Sequence, residues 1–343
     1  MTTESRPERV TLLSVWPRAA IEGGRITIAC RDLNMEAFTR ARLRVGGVTT
    51  RPDLAREDLL LCRVPVGAIS GMVTLEVNGH ESNAIPCEIG SRIAQNLHPV
   101  ANPAIDAAGN LYVTLSGSRG QKVPVSVYKI SLRGILSPFV HDIINPTGMA
   151  IGPDGEVYIS SRFNGQVYRV TEEGTSSVFA RNLGIATGIA FDPQGNLYVG
   201  DREGTIYRLN PQGTATVFAT LAPSVAAFHL AFDSQGNLFV TNPSMSGYDA
   251  IHRFTPEGEM QTFVGELGRP QGLAFDHQDN LYVVAYYGGD AGVFKITPQG
   301  EVNHVVSGIN LVGLALDSLG HLIVVSTSAV YRLNREALEQ SQP

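Results

Sequence analysis

One ten-residue phrase recurs along most of this chain and restricts its fold more than any other feature. It reads AIDAAGNLYV at 104–113, AIGPDGEVYI at 150–159, AFDPQGNLYV at 190–199, AFDSQGNLFV at 231–240, AFDHQDNLYV at 274–283 and ALDSLGHLIV at 315–324. With the sixth residue of each copy as the mark, the copies stand at 109, 155, 195, 236, 279 and 320, so the spacings are 46, 40, 41, 43 and 41. A unit of about 40 residues cannot bury its apolar face alone and must stack on its neighbours, which makes a repeat array.

Each unit has the pattern of four short strands. In 186–213, ATGIAFDPQGNLYVGDREGTIYRLNPQG, a first strand (a) is expected over 188–192 and a second (b) over 196–200. A polar loop, DREG, leads to a third strand (c), TIYRL, and NPQG turns into the fourth (d), TATVFAT. Val, Ile, Tyr and Phe suit strands, while Pro, Gly and Asn suit the turns between them. Gly or Pro recurs too often for a helical alternative.

The ends of the array predict how it closes. The last unit has a, b and c but no good d, and 92–106 (RIAQNLHPVANPAID) matches 178–192 (VFARNLGIATGIAFD). Residues 90–95 therefore read as an orphan fourth strand, expected to pair with the third strand of the last unit. Closure of this kind removes open sheet edges. The expectation is an all-β chain with a six-bladed β-propeller over 89–336, closed by an N-terminal strand, and a short tail at 337–343.

The motif P-x-G-[LMI]-A-[FI]-[DG]-x-x-G-N-L-Y-V, found with small departures at 146–159 and 270–283, resembles that of NHL-type six-bladed β-propellers. These belong to the wide group that includes the gluconolactonase and regucalcin-like proteins. For residues 1–88 the strand and turn signals alternate every 8–12 residues, which predicts a small β-sandwich. P-x-x-x-x-x-G-G at 17–24, VGG at 45–47, CRVP at 62–65 and GMVTLEVNG at 71–79 resemble an IPT/TIG domain, of immunoglobulin-like fold. The Gly-rich stretch usual after its second strand is replaced by ACRDLNMEAF. The resemblance implies a spacer or binding module.

Charge and cysteine usage narrow the function classes. Residues 1–88 hold 11 Arg and 11 acids and are neutral, so the formal charge of −6 resides in the remainder, with 15 basic and 21 acidic groups. An acidic body lacks the basic stripe of a phosphate-backbone binder, so no nucleic-acid partner is expected. The N-terminus lacks the apolar region of a signal peptide, and no run of about 18 apolar residues occurs; a cytoplasmic protein without a membrane partner is expected. Cys30, Cys62 and Cys87 read as buried small hydrophobes, with a Cys30–Cys62 bridge as the alternative.

Function is expected on one end of the ring. The a–b and c–d turns are uniformly trimmed, whereas the d–a and b–c connections, which share the other face, vary. The b–c loop is long in the first (SGSRGQKVPV), fourth (NPSMSGYD) and fifth (AYYGGDAG) units. Variable loops on a rigid scaffold gather binding residues. On that face the end of strand b supplies Ser161, Arg162, Asp201, Arg202, Asn242, Tyr286 and Tyr287, and the start of strand a supplies Thr147, Thr187, His229 and Gln271. Each has a bland reading as loop packing or a satisfied structural group; clustering on one face raises the functional reading. The repeated Asp106, Asp192, Asp233, Asp276 and Asp317 read as turn caps.

The gluconolactonase resemblance implies a divalent metal (Ca²⁺ or Zn²⁺) held by oxygen ligands, with a Glu opening the first blade and Asn and Asp at or near strand a of later blades. The corresponding positions here are Ala101, Thr147, Thr187, Phe228, Gln271 and Val312, and only Asn102 stands near the expected Glu. No cofactor is therefore expected, Asp201 and Asn242 being the best remaining oxygen pair. The eight histidines fall at different unit positions, and no Walker, G-x-S-x-G, H-E-x-x-H or C-x-x-C motif occurs. The leading expectation is a non-catalytic binding or scaffold protein whose propeller face meets a protein, peptide or small metabolite. A divergent metal-dependent hydrolase or lactonase is the alternative.

Overall fold

A computed structural model describes residues 9–36, 38 and 41–338; the start of the chain and most of the expected tail lie outside them. The described residues form strands and turns with almost no helix, and among them no helix is long and apolar enough to cross a membrane. The chain divides into two compact units. Of the described residues, those up to 91, 303–309 and 333–338 fall in the first and 92–302 and 310–332 in the second.

In the first unit, one sheet runs in the order Thr11–Trp16, Arg25–Arg31, Leu59–Arg63, Leu54–Arg56. A second set runs Ala19–Ala20, Ile85–Ile89, Gly71–Val77, Arg42–Val45, Val48–Thr50. Arg25–Arg31 buries every second side chain, as a strand with one face on a core must. Ile26, Ile28, Leu60 and Cys62 from one sheet meet Leu43, Val73, Leu75 and Cys87 from the other in a shared apolar core. The Asn83 side chain joins the edge, accepting from Leu12 N at 2.7 Å and donating to Leu12 O at 2.9 Å. All three cysteines are free and buried, so the Cys30–Cys62 bridge does not form; the two side chains are spent on packing.

The second unit is built from the repeat. Its first sheet comprises Ala104–Ile105, Leu111–Thr114, Val127–Ile130 and Leu136–Val140, all antiparallel. The second comprises Pro146–Ile151, Val157–Ser161, Gln166–Val170 and Ser176–Ala180, and the third Ala186–Phe191, Leu197–Asp201, Thr205–Leu209 and Ala215–Thr220. The fourth holds His229–Phe232, Leu238–Thr241, Asp249–Phe254 and Met260–Leu267; Leu273–Phe275, Leu281–Tyr287 and Asp290–Ile296 follow as a fifth group. In the last sheet Leu311–Leu316, Leu322–Ser326 and Ala329–Leu333 are joined by Ser91–Gln95, the orphan strand, which pairs with Ala329–Leu333.

First strands of successive sheets lie side by side at very close range. A Cβ on Gly148 would come within 2.3 Å of Thr187 O, one on Gly188 within 2.2 Å of Phe228 O, and one on Gly313 within 2.6 Å of Ala101 O. Glycine at these three places is thus a steric requirement of the inner layer. Farther out, the second-strand aromatics Tyr158, Tyr198 and Phe239 each bridge two sheets. The Tyr158 ring packs edge-on against Phe179 of its own sheet and Phe191 of the next, with centroids at 5.1 and 4.9 Å. Tyr198 meets Phe218 and Phe232 at 5.0 Å, and Phe239 meets Phe263 and Phe275 in the same way. Each such pair adds about 0.5–1.5 kcal/mol beyond the area it buries.

The repeated carboxylates hold the turns. Asp192 Oδ1 accepts from Gln194 N and Asn196 N at 3.0 and 2.7 Å, and Oδ2 accepts from Asn196 Nδ2 at 2.8 Å. Asp106, Asp233, Asp276 and Asp317 repeat the arrangement, with His321 replacing the Asn beside Asp317.

Candidate functional site

The strand registers bring the start of strand a and the end of strand b to one end of each sheet. Pro146 pairs with Ser161, Ala186 with Asp201, and His229 with Thr241. All the residues expected to bind therefore lie at or just below that end, with the Asp-capped turns at the opposite one.

Several of them are spent inside the scaffold. Thr147 and Thr187 are buried. The Thr147 hydroxyl donates to Asn145 O, while that of Thr187 donates to Gly200 O at 2.9 Å and accepts from Phe228 N at 3.1 Å. Thr187 thus ties the third sheet to the fourth. The Asp201 carboxylate is also buried and accepts from Ile185 N at 2.7 Å and Glu203 N at 3.1 Å. It fills the space over Gly184, where a Cβ would lie 2.2 Å from Oδ2. Asn242 is half-buried and donates weakly to Ala222 O at 3.3 Å. The expected Asp201–Asn242 oxygen pair is thereby divided between two separate backbone anchors. Gln271 is held through its backbone, its N–H on Val284 O and its carbonyl accepting from Thr241 Oγ1.

His229 stands where the second, third, fifth and last units carry Gly148, Gly188, Gly272 and Gly313, and where the first carries Asn102. The Asn102 side chain stitches the inner layer, donating to Leu273 O at 2.8 Å and accepting from Leu314 N at 3.1 Å. The His229 imidazole is buried with Nε2 unpartnered, and burial alone pushes its pKa down to about 4. It is uncharged at neutral pH.

The loops differ from one another in kind. In the fifth group the segment read as a long loop is a hairpin: Tyr286 pairs with Ala291 and Tyr287 with Asp290 around Gly288–Gly289. Those glycines, at φ of 60° and 89°, give the turn twist that lets pairing continue to the tip. The Tyr287 ring packs on Phe294, whereas Tyr286 is exposed. The fourth-sheet connection is a true loop that presents Met245 and Tyr248, 89% and 81% exposed. The first-sheet loop is clamped by Asn145, buried at φ 48°. Its Oδ1 accepts from Gly120 N, and its Nδ2 donates to Gly117 O and Ser118 O.

Arg162 and Arg202 occupy the same position in neighbouring sheets, each one residue beyond the second strand. Arg162 reaches toward the first-sheet loop, donating through one terminal nitrogen to Ser116 Oγ and Gly117 O, both at 3.3 Å. Its Nε is buried without a partner. Arg202 leans on Ser224 O and Val225 O at 3.4 and 3.2 Å. Burial lowers the Arg162 pKa, and the charges of Arg202 and Arg119 lower it further. Among the described residues neither Arg162, Arg202 nor Arg119 forms an ion pair, and no group of three His, Cys, Asp or Glu is placed to hold a metal. The sequence reading singled out neither Arg119 nor Asn145; the length of the first b–c loop was the signal for Arg119, and Asn145 lies in the connection just before the second sheet.

Comparisons agree on the fold and disagree on activity. A family model described as strictosidine synthase-like, N-terminal, matches residues 188–209, about half of one repeat. No curated protein matches. Among solved structures, an auxiliary nutrient binding protein from Bacteroides ovatus is similar over 97% of this chain and 99% of its own, at 15% identity and a TM-score of 0.56. A protein provisionally described as a gluconolactonase is similar over 71% of this chain and 91% of its own, at 21% identity and 0.60. Virginiamycin B lyase from Staphylococcus aureus is similar over 74% and 86%, at 17% identity and 0.54. Proteins with such different names at such low identity share a scaffold, and this chain is an all-β protein containing a β-propeller.

Proposed function

We propose that this chain is a non-catalytic binding protein that takes a protein, peptide or small metabolite on the loop-bearing end of a six-bladed, NHL-type propeller. The domain before it, over 1–88, we read as an IPT/TIG-like, immunoglobulin-like module. Six first strands in chain order and the pairing of Ser91–Gln95 with Ala329–Leu333 support the blade count. The observation that carries the binding reading is the chemistry of the loop-bearing end. Arg162, Arg202 and Arg119 gather there, with Phe163, Met245, Tyr248 and Tyr286 exposed on its loops.

The competing reading, a metal-dependent lactonase, requires hard oxygen ligands. The residues present do not fit a dication: Asp201 is committed to two backbone N–H groups, and the nearby guanidinium charges would repel it. Two assays on the full chain separate the readings. Lactone turnover with added Ca²⁺, Zn²⁺ or Mn²⁺ would establish the enzyme. In a thermal-shift screen of metabolites, the binding reading expects hits that Tyr248→Ala or Phe163→Ala abolishes and Leu319→Ser, at the opposite end, leaves intact. Hits indifferent to all three substitutions would refute it.

A further inference from the structure

We propose that Arg162 and Arg202, with Arg119 at the rim, form a site for the carboxylate or phosphate group of a small-molecule ligand. The proposal rests on the binding reading above and specifies its ligand class. Three geometric observations carry it.

The first is placement. Ser160 Oγ donates to Thr187 O, which locks the second and third sheets together just below the two arginines. Arg162 and Arg202 then emerge at matching positions, and the loop holding Arg119 is fixed to the second sheet by the Asn145 clamp. The second is unspent donor capacity. A guanidinium carries five N–H groups in a planar fork. Arg162 uses one terminal nitrogen in two long contacts, while its buried Nε has none. Arg202 makes two long contacts to carbonyls. Arg162 is anchored on the side of the first sheet and Arg202 on the side of the fourth, and these carbonyl and hydroxyl contacts neutralise neither fork. The third is that none of the three forms an ion pair among the described residues: the adjacent Asp201 carboxylate turns inward onto Ile185 N and Glu203 N, and the exposed Glu203 makes no bridge to Arg202.

Like charges so placed disfavour one another, and an oxyanion removes that cost while taking up free N–H groups. The apolar flank is Phe163, 46% exposed, whose ring stands 3.0 Å from where a Cβ on Gly120 would lie. A compact organic anion with an apolar portion fits this chemistry better than a polyanion, given the net charge of −6.

The test titrates the full chain with inorganic phosphate in one arm and succinate in another, at matched ionic strength, by calorimetry. Saturable binding in either arm is expected, and the arm that binds more tightly identifies the preferred oxyanion. Arg162→Gln and Arg202→Gln should each weaken it about tenfold or more, since a hydrogen bond to a charged group is lost. Arg162→Lys should recover part of the affinity, and Arg133→Gln, in a turn at the opposite end, should leave it unchanged. Near-UV circular dichroism checks folding; should Arg162→Gln unfold, Arg202→Gln and Arg119→Gln carry the test. No saturable binding in either arm, or equal weakening by Arg133→Gln, overturns the proposal. If screen hits still depend on Tyr248 or Phe163 in that case, the loop-face reading survives without the oxyanion site; if they do not, both fall.

Discussion

Acidification should destabilise the second unit chiefly through His229, with half-buried His252, whose pKa burial also lowers, adding in the same direction. Its imidazole is buried and burial holds its pKa at about 4, against an ordinary 6.5. In the unfolded chain it takes up a proton below about pH 6.5, whereas in the fold it stays neutral until about pH 4. Between these values the unfolded state binds more protons, so stability falls as pH falls and the loss is complete below about pH 4. At 1.36 kcal/mol per pH unit, that interval is worth about 3 kcal/mol. The depressed Asp106 and Asp317 act in a lower window: their contribution is present above the usual carboxylate pKa and lost only as pH drops through their folded values. The comparison is urea unfolding at several pH values between 7 and 4 for the native chain and His229→Asn, the residue the first unit uses at this position. All 11 tyrosines lie in 92–332, and the single Trp is Trp16. Tyrosine near-UV dichroism therefore follows the second unit and Trp fluorescence the first. The native chain should lose about 3 kcal/mol more than the variant across this interval. Parallel pH profiles for the two proteins would refute the reasoning, whatever their difference at pH 7.

Three further outcomes are expected. Tyr198→Ala removes a ring that joins two sheets and should cost about 3–5 kcal/mol in urea unfolding, as for other buried aromatics. Asn102→Asp replaces the donor on Leu273 O by a carboxylate oxygen and should cost about 1–3 kcal/mol, with Asn102→Ala at or below that range. Burial raises the Cys62 and Cys87 thiols to about 12 and raises Cys30 as well, so native protein should resist thiol reagents at pH 8 and react with three equivalents when unfolded.

The repeat was legible because turn chemistry and strand pattern are local. The GNLYV anchors, the capping aspartates and the orphan strand at 90–95 could each be placed by matching one unit to another. The candidate site was only partly legible. Its end of the molecule followed from which connections vary, and Arg162 and Arg202 from their positions after strand b. Asp201 and Thr187 looked like binding groups because sequence does not reveal which backbone donors or acceptors lie nearby; in the fold those partners are Ile185 N, Glu203 N, Gly200 O and Phe228 N. The fifth b–c segment is a hairpin and not the long loop its length suggests, because length does not tell whether Gly288–Gly289 keeps both arms paired.

The sequence by itself determined a repeat of four-strand units, the strand that completes the last of them, and an N-terminal segment of different, all-Arg basic character. Tertiary structure decided which polar groups remain available. Contacts between sheets are long-range: they bury His229 and require glycine at 148, 188 and 313, while pairing within the third sheet brings Ile185 N to the Asp201 carboxylate. Contacts between sheets also bring Arg119, 43 residues before Arg162 in the chain, into electrostatic reach of Arg162. Charge at a distance depends on separation in space, which a repeat pattern does not encode.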